Sequence, residues 1–407
     1  MRGVGEAGWV TGDRPQGGDV AVRLFPSLAG LRSARGRGAA RKGGGVGSRC
    51  RRLPLLFLLL VPTLASAQGL APRYAHSVTA LPDGRVLVVG GLGPGDAFIG
   101  RAEILDPAHR TVMVAPRPAK HRAFHTATLL LDGTVLIAGG FMLPYSTSRT
   151  AELWDGSRFV FLESKMSVPR ELHAATLLRD GRVLITGGFV GGVTSVASCD
   201  LYDPKTRSFH PTGDMLAGRY GHEASLLADG RVLVTGGMQF PSNRTLAEAE
   251  LYDPATGRFI PAGHMLTDRS RHTATVLQDG RVFITGGNSI QAGKQLRSTE
   301  FYDPHTGRFA PGPDMAEPRM DHTAALLPDG KVLIAGGFNG DGGPHTVASC
   351  EVFDPATNAF QPARPLAHPV HEHRAALLTS GEVLISGGLE VRGSERRVWP
   401  DVVVMGE

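Results

Sequence analysis

A glycine pair recurs seven times along this chain, at 90–91, 139–140, 187–188, 236–237, 286–287, 336–337 and 387–388, at spacings of 48 to 51 residues. A repeat of that number and length restricts the chain to arrays in which each unit leans on copies of itself. An apolar tetrad precedes each pair: Val86–Val89, Val135–Ala138, Val183–Thr186, Val232–Thr235, Val282–Thr285, Val332–Ala335 and Val383–Ser386. An Asp-Gly turn stands upstream of six tetrads, and Ser380-Gly381 takes its place in the last. Downstream comes a stretch such as Glu250 to Pro254 or Glu300 to Pro304, then a short segment around Phe209, Phe259, Phe309 or Phe360.

Each unit therefore reads as four strands, a to d, with Asp-Gly making the a–b turn. Strand b is apolar on both faces, so its sheet needs cover on both sides. A lone four-stranded sheet has none. Seven sheets stacked around an axis cover one another, which predicts an all-β, seven-bladed β-propeller over residues 68–407.

The Gly-Gly pair closing strand b, the aromatic after it and the near-50-residue period resemble the kelch repeat, over roughly residues 70–405. These copies carry Phe209, Phe259, Phe309 and Phe360 where kelch signatures commonly have tryptophan. The resemblance implies a propeller that binds a protein or glycan ligand. It also implies a smaller class of enzymes, including galactose-oxidase-like copper enzymes, which use a cysteine–tyrosine pair, a second tyrosine and two histidines. No cysteine here is placed for that pair. The alternative is a sugar mutarotase or epimerase using an arginine and a carboxylate at the channel mouth, with Glu171 or Glu223 beside Arg170 or Arg219 as the best pair.

The formal charge of +5 is misleading, because residues 1–52 carry eleven Lys/Arg against three Asp/Glu and the remainder of the chain is net acidic at −3. Nucleic acid is therefore not expected as a partner. Arg51-Arg52, the uncharged run Leu53 to Leu64 and Ala65-Ser66-Ala67 have the form of a secretory signal peptide, cleaved near Ala67. The run is shorter than the roughly 20 residues a membrane span needs. Residues 1–50 read as a disordered extension or as a start placed upstream of the true one. The expectation is a secreted or periplasmic protein of bacterial type, with no membrane span and an oligomeric state left open. The seventh copy reaches only strand c, near Val402–Val404, so the last blade is expected to lack its outer strand.

Arg-x-x-His precedes strand a in six copies: Arg73/His76, Arg122/His125, Arg170/His173, Arg219/His222, Arg269/His272 and Arg319/His322; the seventh keeps His373 after Val370. Residues repeated in every blade point to structure, here a hydrogen bond to a neighbouring blade's backbone, with the arginines also available to line the channel mouth for an anion. No copy holds a His/Cys/carboxylate cluster, so neither metal nor other cofactor is expected. Asn339 to Gly343 lacks the spaced carboxylates of a calcium loop. Cys199 and Cys350 fill the same small slot three blades apart and are expected as free thiols. The b–c connections vary most, and variable loops on a rigid frame carry recognition. The candidate binding residues there are Phe98, Tyr145, Arg149, Phe240, Arg244, Lys294, Arg297, Asn339, Asp341 and His345.

Overall fold

The computed structural model describes residues 70–142, 146–340 and 343–406. The expected leader and N-terminal extension lie outside them, as do Tyr145 and Asp341. Among the described residues are seven antiparallel blade sheets, six with the strand order a-b-c-d and the seventh with a-b-c. Blade 3 is representative, with strands Ala174–Leu177, Val183–Thr186, Cys199–Asp203 and Ser208–Pro211. Blade 7 has three strands, Arg374–Leu377, Val383–Ser386 and Val402–Met405. Its strand c is only partly buried at each position, whereas the first four residues of strand c in blade 3 are all buried.

Each predicted tetrad is a strand b, and every one is buried along its whole length. Alternation explains how. In blade 2, Val135 and Ile137 pack with Leu87, Val89 and Ile104 of blade 1, while Leu136 and Ala138 pack with Val183, Ile185 and Tyr202 of blade 3. Each such side chain contributes roughly 1.5–3 kcal/mol when fully buried, and half of every strand b is buried by the next blade. The same packing joins Val86 and Val88 of blade 1 to Leu378 and Leu384 of blade 7, so the ring is closed. The strand-d phenylalanines rest on the aromatics of strand c, with ring centroids 5.0 Å apart for Phe209 and Tyr202 and 4.9 Å for Phe259 and Tyr252.

Backbone hydrogen bonds repeat across all seven junctions. The second glycine of each pair donates its N–H to the carbonyl at the arginine position of the next blade, as in Gly91 to Arg122 at 2.9 Å and, across the closure, Gly388 to Arg73 at 2.8 Å. The preceding glycine makes this approach possible: a Cβ on Gly236, whose φ is +59°, would stand 2.3 Å from the Arg269 carbonyl oxygen. A second belt circles the axis. The residue before each histidine donates its N–H to the carbonyl of its counterpart one blade back, running Ala75, Phe124, Leu172, Gly221, Arg271, Asp321, Glu372 and returning to Ala75. All seven have positive φ, a conformation stabilised by the belt at non-glycine positions.

The b–c connections are more regular than free loops. Six fold into short hairpins, such as Phe189–Val190 with Thr194–Ser195 and Leu389–Arg392 with Glu395–Val398. Blade 1 has a single turn at Pro94–Asp96 instead. Sequence variation obscured a shared frame, because the hairpin residues change while their backbone pairing persists.

Candidate functional site

The arginines of Arg-x-x-His do not line the channel. All six are fully buried, each donating to a carboxylate on strand c of its own blade: Glu103, Glu152, Asp200, Glu250, Glu300 and Glu351. The Arg170–Asp200 contact is 2.9 Å, and Arg170 also donates to the Gly187 and Ser198 carbonyls at 2.7 Å each. Burial pulls the Arg73 guanidinium down to about 10, which leaves it charged at neutral pH. The expected channel-mouth anion site at these arginines is thus corrected: their guanidinium groups are buried and their Nη donors are taken up inside the blade.

The histidines join blades as expected, but through a side chain and not through backbone. Nε2 meets a hydroxyl on the preceding blade: His76 with Ser386, His125 with Ser77, His173 with Thr126, His222 with Thr186, His272 with Thr235, His322 with Thr285 and His373 with Thr323, all within 2.9–3.0 Å. Burial lowers their basicity and holds them neutral. Cys199 and Cys350 are buried free thiols, and burial pushes the Cys199 thiol up to about 12, outside the reactive range.

The predicted b–c residues do not gather. Arg149 and Lys294 are exposed, Arg244 pairs with Glu248 at 2.9 Å and Arg297 with Asp314 at 3.0 Å. Asn339 is buried in its hairpin, and His345 Nδ1 lies 2.8 Å from the Gly343 carbonyl. Phe98 packs on Phe141 at the rim, with centroids 5.7 Å apart. Phe240 alone extends toward a cluster: it packs edge-on to Phe189 at 5.5 Å, and Phe189 lies 4.8 Å from Tyr220.

Tyr220 leads to the axis. The two residues between arginine and histidine in each copy surround the b–c mouth of the channel, and they are the irregular part of an otherwise uniform motif: Tyr-Ala, Ala-Phe, Glu-Leu, Tyr-Gly, Ser-Arg, Met-Asp and His-Glu. Arg271 donates to Asp321 at 3.0 Å and faces Glu372 at 3.5 Å. Glu171 is buried with no hydrogen-bond partner for its carboxyl among the described residues, and desolvation raises it to about 7 against the opposing pull of Arg271. Tyr220 is within electrostatic reach of both Glu171 and Arg271, and burial raises its hydroxyl. Glu372 is also raised to about 7, by burial and by Asp321. Glu223 lines the channel, and the cations that act on Glu171 and Glu223 are Arg271 and Arg374, not Arg170 and Arg219. Strong variation held between a recurrent arginine and an invariant histidine was the available signal for this site.

A family profile described as the kelch motif matches residues 320–367. No curated protein matches the sequence. Among solved structures, a fungal alcohol oxidase of the AA5 family in complex with copper superposes with a TM-score of 0.60 at 18% identity, covering 81% of this chain and 75% of that one. With the seven closed blades, these findings define the class, a kelch-type β-propeller. The chain thus has the fold of a kelch-type β-propeller, with the kelch motif itself matched at residues 320–367. Among the described residues no group of three or more His, Cys, Asp or Glu stands together in a way that could hold a metal. Nor is any helix among them long and apolar enough to cross a membrane.

Proposed function

We propose that this propeller is a carbohydrate-binding module whose ligand seats over the b–c mouth of the axial channel, acting after export through the leader at 51–67. The observation that carries this reading is the convergence of Glu171, Tyr220 and Arg271 beside the Phe189–Tyr220 ring pair. A carboxyl, a phenol and a guanidinium offer acceptors and donors to sugar hydroxyls, and the aromatic faces offer an apolar wall to C–H edges. Polar groups converging in a largely pre-formed recess are what small-ligand sites require. A glycan array followed by titration calorimetry on the full chain tests it. Glu171→Gln and Tyr220→Phe should each weaken the selected glycan at least about tenfold, the order expected for one lost hydrogen bond to a charged or buried partner, with an unchanged melting temperature. Absence of any glycan binding contradicts the reading.

A second reading, acid–base turnover of the bound sugar, is supported by the placement of Glu171 and Glu372 at about 7, where a carboxyl can both give and take a proton. The fungal neighbour is an alcohol oxidase. Any turnover here would rest on the carboxyls and Arg271.

A further inference from the structure

Below the mouth, the first residue of strand a faces the channel. In four copies it is a hydroxyl residue on the cavity wall, Ser77, Thr126, Thr273 and Thr323, and in blade 3 the position is Ala174. Blades 4 and 7 break the pattern with Glu223 and Arg374, which stand across the axis from one another because three steps separate them in a ring of seven. They feel each other electrostatically but form no ion pair together. Glu223 has no hydrogen-bond partner among the described residues, and Arg374 makes one hydrogen bond, from Nη1 to the carbonyl of its own neighbour His373 at 3.0 Å. The remaining guanidinium donors face a cavity of about 470 Å³ that both residues line.

Two opposite charges held apart across a narrow channel form an incomplete arrangement. The fold does not require either one, since the other five blades carry Ser, Thr or Ala at the same position. Burying an unpaired charge opposes folding, so a pair kept here is explained by something that completes it. We propose that the axial channel is a second ligand site, in which a small zwitterion spans Glu223 and Arg374 with its anionic end on the guanidinium and its cationic end on the carboxylate. The planar guanidinium suits a carboxylate, which it can grip with two parallel hydrogen bonds. A primary ammonium suits Glu223, supplying three donors to a carboxylate that lacks any. The cavity has the size of a small-molecule site, and the hydroxyls of Thr128 and Thr275 on its wall, which the junction histidines do not engage, can satisfy polar atoms in between. This site is distinct from the sugar site proposed at the mouth, and the two stand or fall separately.

The test is calorimetry on the full chain with a series of ω-amino acids (glycine, β-alanine, γ-aminobutyrate and 5-aminovalerate), against acetate and methylammonium as single-ended controls. One member whose length matches the span should bind saturably and at least ten times more tightly than either control. Glu223→Thr and Arg374→Thr, which install the residue type the other blades use, should each weaken that member at least tenfold. The double variant should bind it no better than the weaker single one. Glu223→Gln keeps the side-chain volume and should lose binding in the same way, which guards against a Thr variant that folds poorly. Saturable binding that survives Glu223→Gln unchanged, or no binding by any member of the series, overturns the proposal.

Discussion

The junctions between blades and the lining of the axis are built from adjacent residues, yet they follow opposite rules. At the junctions the same groups recur seven times: a Gly-Gly N–H on a carbonyl, and a histidine Nε2 on a hydroxyl. Around the axis every copy differs, and the differences are charged or aromatic: Glu171, Tyr220, Glu223, Arg271, Asp321, Glu372 and Arg374. Uniformity marks what each blade needs in order to join the next. Irregularity marks what no blade needs, and charge buried there opposes stability in the way functional sites commonly do. Blade 7 separates the two kinds of requirement further. It keeps His373 and both glycines of the junction, but it replaces the buried arginine with Val370, and the strand-c carboxylate position, paired with Ile385, is Val403. Both charges are gone together. An apolar pair can thus replace the ion pair inside a blade, while nothing in the ring replaces the junction.

Breaking a junction should have the largest effect. Gly236→Ala drives a methyl into the Arg269 carbonyl at a positive-φ residue, and the expected loss exceeds about 4 kcal/mol, in the class of severe backbone and packing clashes. Urea unfolding monitored by circular dichroism measures it. Next in size is Arg269→Met, which strands Glu300 without its partner and should cost about 3–5 kcal/mol. Converting both to the blade 7 pattern, Arg269→Val with Glu300→Val, should recover most of that loss. If the double variant is as unstable as the single one, Val370 and Val403 have been misread.

Acidity distinguishes the two regions by sign. The junction histidines have folded values depressed below 6.5, so their contribution is complete above pH 6.5 and is lost as pH falls toward the folded values, about 3 for His222 and His373. The axial carboxyls of Glu171, Glu223 and Glu372 have folded values raised from 4.5 to about 7, so their contribution is complete below pH 4.5 and is lost as pH rises through 7. Seven histidines outweigh three carboxyls between pH 5 and 6.5, so the melting temperature should fall on acidification from neutrality. Replacing the three glutamates with glutamine should make that fall steeper by removing the opposing contribution. A melting temperature that rises between pH 7 and 5.5 contradicts the assignment of the histidines as buried and neutral.

The repeat made the fold readable. All seven tetrads are the b strands residue for residue. Reading each copy against its consensus also hid the site. Glu171, Arg271 and Glu372 are about 100 residues apart from one to the next in sequence and meet only because the ring closes. The b–c candidates were chosen for variability, but Arg244 and Arg297 are engaged in local ion pairs at the rim. Variability between a recurrent arginine and an invariant histidine, as in Arg-x-x-His, was the more informative kind, because those flanking residues hold the variable side chains at the axis.

The smallest expected change in stability tests the account most directly. A single variant combining Glu223→Thr, Arg271→Ala, Asp321→Ala, Glu372→Ala and Arg374→Thr removes five axial charges and leaves every junction intact. Its melting temperature should equal or exceed that of the parent chain. A chain that melts well below its parent, or fails to fold, would show that the axial charges hold the ring together and that their irregularity is not the mark of a binding site.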